Sequence, residues 1–106
     1  MRLTETTGTA EILRELGNRL QGYRLQQNLR VVDLSTRAGV SARTVTRAEA
    51  GENTSLESLV KMLRALGRVD AFDAFLPAPL VSPLQLAELH GHERRRASVK
   101  HTQSDG

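Results

Sequence analysis

The chain contains no cysteine. That excludes a disulfide framework and a thiolate metal site, and it fits a reducing cytoplasm. Aromatic residues make up only 3% of the 106 positions, so a core has to be assembled from Leu, Val, Ile and Ala. No apolar stretch reaches the roughly 18 residues that a membrane span needs. The first residues also lack the apolar segment of a signal peptide. A soluble, unexported chain with no membrane partner is expected. No glycine-rich phosphate loop is present. The Asp and Glu residues form no catalytic pair, and no Ser stands with a His and an acid in a recognisable arrangement. Neither an enzyme nor a cofactor is expected. His90, His92 and His101 lie without cysteine or a helical i, i+4 pair, so they read as solvated side chains and not as metal ligands.

What remains is a small, basic, helix-forming chain, long enough for one core and a tail. Its formal net charge is +3, but the distribution says more than the sum. Between Asn28 and Ala48 lie Arg30, Arg37, Arg43 and Arg47 against Asp33 alone. A basic stripe of this kind is the electrostatic footprint of a phosphate-binding face. Arginine outnumbers lysine thirteen to two. Codon bias explains such a ratio as well as function does, so position carries the argument.

Residues Met1–Gly8 are polar and read as a frayed start. From about Thr9 a helical period places Ile12, Leu13, Leu16, Leu20 and Tyr23 on one face, and Asn28 suits the left-handed position after that helix. A second helix spans about Val31–Ala38 and buries Leu34 and Ala38. Gly39 supplies the positive φ of a turn. Ser41 caps a third helix that buries Val45 and Ala48 and ends before Gly51. Thr54-Ser55-Leu56-Glu57 reads as a capping box with Thr54 at the N-cap. It opens a fourth helix whose apolar face is Leu56, Leu59, Val60, Leu63 and Leu66, stopped by Gly67. A fifth helix, about Val69–Leu76, offers Val69, Phe72, Phe75 and Leu76.

The tail changes character at Pro77, Pro79 and Pro83. Ser82-Pro83-Leu84-Gln85 opens a short helix ending at Gly91, and the Arg94-Arg95-Arg96 cluster falls in an end expected to be disordered. The expected organisation is a disordered start (1–8), a helical domain (9–76), and a linker, short helix and basic tail (77–106).

The segment Leu34–Gly51 carries most of the functional information. Two short helices meet at a Gly39-Val40 turn, and the second turns Arg43, Thr46 and Arg47 outward. An α-helix of that kind can lie in a DNA major groove and offer donors to base edges. Ala42 is small enough to approach a thymine methyl. Ser41 and Asn53, at helix starts, are placed for phosphates. Arg30, Arg37 and Thr44 complete the candidate DNA-binding set. The bland alternative for these arginines is a solvated helix face.

These residues resemble the phage-repressor-like (XRE) helix-turn-helix family over roughly Leu16–Leu76. The resemblance rests on Arg24, Leu34, Gly39-Val40-Ser41, Thr44-Val45, Glu49, Gly51 and Thr54-Ser55-Leu56-Glu57-Ser58-Leu59. It implies an all-α, five-helix DNA-binding domain with a flexible C-terminal tail. It also implies a largely buried ion pair between Arg24 and Glu49. Two departures stand out. Arg30-Val31 replaces the usual Ser or Thr followed by a phosphate-contacting Gln, which removes the cap of helix two. Ser35 stands where Ala is usual.

Phe72-Asp73-Ala74-Phe75-Leu76-Pro77, then Ser82-Pro83-Leu84-Gln85-Leu86 and the Arg-rich end, look like HipB-type antitoxins. That likeness implies a homodimeric repressor on an inverted-repeat operator that also binds a HipA-like kinase toxin. The implied location is the bacterial cytoplasm, at the nucleoid. Two other readings stay open: a stand-alone regulator with no toxin, and a protein-interaction adaptor that keeps the fold without binding DNA.

Overall fold

The computed structural model describes residues 1–80, 83–84, 87–89 and 91. It divides into two compact units, Met1–Phe75 and Leu76–Gly106. The first holds α1 (Thr9–Gln26), α2 (Val31–Ala38), α3 (Ala42–Glu49), α4 (Leu56–Ala65) and α5 (Ala71–Phe75). In the second, 83–84, 87–89 and 91 are helical. No strand occurs among the described residues, and the fold is all-α. Ser82, Gln85, His90 and the Arg94–Arg96 cluster lie outside the described residues, as do His92 and His101.

Local chemistry sets the helix boundaries. Ser41 Oγ accepts the Thr44 N–H (3.0 Å) to start α3, and Ser55 Oγ accepts the Ser58 N–H (3.0 Å) to start α4. A side-chain oxygen at this place satisfies one of the N–H groups that a helix start leaves open. Four helices end alike, with a left-handed residue followed by a residue whose N–H reaches back five positions; in α2 these are Gly39 and Val40, whose N–H donates to Ser35 O (3.1 Å). In α1 the left-handed residue is Asn28 (φ 57°), and Leu29 N–H donates to Arg24 O (3.2 Å). Glu52 N–H donates to Arg47 O (2.9 Å) after Gly51, and Arg68 N–H to Leu63 O (2.8 Å) after Gly67. This is the Schellman motif, which stacks the second residue past the helix over the last turn.

The core is Leu20, Leu29, Leu34, Val45, Ala48, Met62 and Leu66, with Tyr23, Val31, Ala38, Val40, Leu63 and Ala65 packed against it. Leu34, Val45 and Met62 are fully enclosed. Each fully buried side chain of this size stabilises the fold by about 1.5–3 kcal/mol. Helix α3 lies against both α1 and α2, and α2 also packs on α4.

Several expectations differ from the structure. The cap of α4 is Ser55, one residue later than Thr54, and its partner at the third helical position is Ser58 and not Glu57. The α4 face is centred on Met62, while Leu56 is exposed. Leu13 and Leu16 are exposed and Gly17, Leu20 and Arg24 face inward, so the buried side of α1 is rotated from its most apolar stripe. Within the first residues Thr4 and Thr7 are hydrogen-bonded across a turn, and Arg19 Nη2 donates to Met1 O (2.7 Å). Helix α5 is shorter than expected and buries none of its residues.

One ion pair fixes the placement of α3. Arg24 Nε donates to Glu49 Oε2 (2.7 Å) and Arg24 Nη2 to Glu49 Oε1 (3.0 Å), with both side chains under a tenth exposed. The third nitrogen, Arg24 Nη1, donates to Leu29 O (2.8 Å), and Gln21 Nε2 donates to Glu49 Oε1 (3.3 Å). The hydrogen bonds to Glu49 raise the Arg24 pKa against the opposing effect of burial. Glu49 closes α3, where helix carbonyls disfavour an anion, and Arg24 lies in the last turn of α1, where a cation is favoured.

Close approach completes the clamp. A Cβ on Gly17 would sit 2.5 Å from Glu49 O and 2.7 Å from Ala48 O. A Cβ on Gly51, which has φ 80°, would sit 2.7 Å from Arg14 Cα. These contacts are backbone to backbone, and no side-chain rotation relieves them.

Replacing Glu49 with Ala leaves Arg24 buried without its carboxylate and should cost about 3–5 kcal/mol in denaturant unfolding. Gly17→Ala should cost about 1–3 kcal/mol by forcing α1 off α3. An unchanged unfolding midpoint in either variant would contradict the clamp.

Candidate nucleic-acid interface

Helices α2 and α3 meet at Gly39, which is left-handed at φ 75° and ψ 32°. Gly39 N–H and Val40 N–H both donate to Ser35 O, at 2.9 and 3.1 Å. Ser35 is buried, and its hydroxyl donates to Val32 O (2.9 Å), so the Ser in place of Ala leaves no open hydrogen bond. With Val45, Ala48 and Glu49 turned inward, α3 exposes Ala42, Arg43, Thr46 and Arg47 along its opposite side. Residues 43 and 47 are one helical turn apart, about 6 Å along the axis.

The candidate residues are not equally free. Arg43 and Arg37 are exposed and make no ion pair among the described residues. Ala42 and Thr46 are exposed on the same side of α3, and Asn53 is exposed in the loop before α4. Ser41 and Thr44 are tied to each other through their hydroxyls (2.9 Å), which makes Thr44 a partner of the cap. Arg47 Nε donates to Glu52 Oε1 (2.9 Å). Arg30 Nε donates to Asp33 Oδ2 (3.1 Å) and Arg30 Nη2 to Asp33 Oδ1 (3.0 Å).

The α2 start departs from expectation in an instructive way. Arg30 is the N-cap and its side chain does not cap. Asp33 supplies the reciprocal half of a capping box instead, accepting the Arg30 N–H at Oδ2 (2.8 Å). Thus a carboxylate of α2 caps the helix and holds one arginine of the candidate DNA-binding set. The Arg30 side-chain hydrogen bond, then its backbone N–H, then the charges of Arg30 and Arg37 hold the Asp33 pKa down at about 2 against an ordinary 3.8.

Asp33 and Glu52 are the two residues of this surface that sequence reasoning missed. Asp33 had a signal, since an acid three residues after an N-cap is half of a capping box. The signal for Glu52 was Gly51, because a left-handed residue there folds position 52 back over Arg47. Tyr23, outside the surface, has Arg68 over its ring at 4.1 Å. Among the described residues no group of His, Cys, Asp and Glu is arranged to hold a metal ion. No described helix is long and apolar enough to cross a membrane.

A helix-turn-helix family model matches residues 20–72, half of the chain and all of α2, α3 and α4. The chain belongs to the phage-repressor-like (XRE-type) helix-turn-helix family. It is thus a DNA-binding transcriptional regulator, of a kind that is regulatory and not enzymatic. A search of curated proteins returns no significant match.

The depressed Asp33 pKa fixes a pH dependence. A carboxylate titrating lower in the folded chain than its ordinary value stabilises the fold above that value and loses the contribution as pH falls through its folded pKa. The stability that the Asp33 cap contributes should therefore be complete above pH 3.8 and decline as the pH falls from there through about 2, where the folded carboxylate itself takes up its proton. NMR titration of the Asp33 carboxyl carbon should give a midpoint near 2. In Asp33→Asn, stability should no longer fall through this window on account of the cap. A wild-type midpoint at 3.8 would contradict the pairing with Arg30.

Proposed function

We propose that this protein is a sequence-specific repressor that reads an inverted-repeat operator as a homodimer. In this reading the outward face of α3 enters the major groove. The observation that carries it is the free, exposed Arg43 on the first turn of α3, beside a Ser41-capped helix start. A bidentate arginine at this place matches guanine O6 and N7. Ala42 and Thr46 present a methyl and a hydroxyl to neighbouring bases. Ser41, Arg37, Arg30 and Asn53 surround them and are placed for phosphates. Arg30 reaches a phosphate only by leaving Asp33.

The dimer follows from reach. Eight helical residues rise about 12 Å, which spans only a few base pairs, too few to define a site in a genome. Two copies related by a two-fold axis place their α3 helices about 34 Å apart in successive major grooves. Exposed Val69 and Phe75 around α5 and exposed Leu13 and Leu16 on α1 offer apolar surface for the mate. A role as antitoxin to a HipA-like kinase toxin is supported only by the likeness of the segments after Phe72. A kinase-like reading frame beside this gene would favour it over the stand-alone regulator.

Arg43→Ala should weaken binding to the DNA that the wild-type protein selects by about 1–3 kcal/mol and relax preference at one base pair. Electrophoretic mobility shifts on selected and random duplexes measure both. An equal loss on the two duplexes would make Arg43 a phosphate contact, and unchanged binding would remove α3 from the interface.

A further inference from the structure

The ends of α1, α2, α3 and α4 share a backbone device and differ in what they stack. The residue folded back over the last turn is the buried Leu29 after α1 and the half-buried Val40 after α2. An apolar contact is the usual companion of this turn. After α4 it is Arg68, exposed and set over the Tyr23 ring, and after α3 it is Glu52, which is exposed and carries the opposite charge. Its N–H donates to Arg47 O (2.9 Å) and its carboxylate accepts from Arg47 Nε (2.9 Å). In a straight helix, residues five apart do not face each other. Here the left-handed Gly51, with its N–H on Ala48 O (3.1 Å), turns the chain so that they do.

An isolated pair with both side chains about half exposed adds little stability. Its consequence is orientation. With Nε engaged by Glu52, the guanidinium of Arg47 keeps the Nη1 and Nη2 ends of its fork for another acceptor. The same carboxylate sets a negative charge beside that fork. A phosphate approaching Arg47 is repelled by it, whereas the neutral acceptors of a base edge are not. Within one Debye length this charge is only partly screened.

We propose that Glu52 is a specificity-determining residue: it holds Arg47 for guanine at one base pair of each half-site and discourages that arginine from binding phosphate. The proposal rests on the reading of the α3 face as the DNA-contacting surface. Glu52 is a positioning residue, since it acts through Arg47. The α3 start shows the contrast, because Arg43 has no carboxylate partner among the described residues and is equally available to base or phosphate.

The test compares wild type, Glu52→Gln, Glu52→Asp and Arg47→Ala on two probes. One is the duplex that wild type enriches from a random-sequence pool, and the other is a random duplex of equal length. Glu52→Gln keeps the backbone turn and should melt as wild type does. It should bind random duplex several-fold tighter and lose at least about fivefold in the ratio of selected to random affinity. Its salt slope on the random duplex should steepen by about one phosphate's worth. A fresh selection with this variant should show guanine preference weakened at a single position of each half-site. Glu52→Asp, which keeps the charge, should restore most of the lost ratio. If Arg47→Ala leaves the ratio unchanged, Arg47 reads no base and the placement of DNA on this part of α3 fails, taking the proposal with it. If Arg47→Ala lowers the ratio but Glu52→Gln leaves ratio and salt slope within twofold of wild type, the role of Glu52 alone is overturned.

Discussion

The buried pair of Arg24 and Glu49 is the constraint on which the rest of this fold depends. Neither charge could stay where it is without the other, and both are satisfied on several sides. The pair joins the last turn of α1 to the last residue of α3, while Arg24 Nη1 holds the carbonyl of Leu29. Gly17 and Gly51 let the same two segments approach to backbone contact. One end of α3 is thereby fixed in position and rotation. With Val45 and Ala48 against the core, only one side of that helix remains for solvent, and it is the side of Arg43, Thr46 and Arg47. A buried ion pair is a poor source of net stability compared with apolar packing. What this one does is leave α3 a single orientation.

The exposed face is less basic in practice than its sequence. Of the four arginines between Asn28 and Ala48, Arg30 and Arg47 are engaged by carboxylates, and Arg37 and Arg43 have none among the described residues. A regulator has to distinguish one site from a great excess of others, and phosphate affinity does not help it do so. Carboxylates beside two of the arginines lower that indiscriminate attraction while leaving the guanidinium groups near the surface. Asp33 has a second task in capping α2, which accounts for a helix start that lacks Ser or Thr. The all-α fold, the capped turn and the paired charges together fit selective rather than general attachment to DNA.

Much of the helix order was legible because its signals are local. Ser41, Gly39, Asn28 and Gly67 each act within one turn of the chain, and caps and left-handed residues are read from such short spans. The misreadings concern facing, which depends on neighbours distant in sequence. Leu13 and Leu16 looked like core and are exposed, because the clamp at Gly17 and Arg24 turns α1 onto α3 by its small and charged residues. Met62 was overlooked because Leu59, Val60 and Leu63 outline a plausible face beside it. Thr54 and Ser55 are both competent caps, and the loop leaving Gly51 determines which one reaches the right N–H. On the candidate interface the outward positions of α3 were readable from the turn, but the partners of Arg30 and Arg47 were not. Both partners arise from backbone geometry at helix ends, and Gly51 was the only written sign of the second.

The central claim is that the clamp presents the outward side of α3 to DNA. The most direct measurement is an amide chemical-shift titration of the ¹⁵N-labelled full chain with the duplex it selects from a random pool. The account predicts that the largest changes fall on Ser41–Arg47, with smaller ones at Arg30, Arg37 and Asn53, while the buried Leu20, Val45 and Met62 move little. Changes concentrated on α1 or α5, with Ser41–Arg47 unmoved, would contradict it.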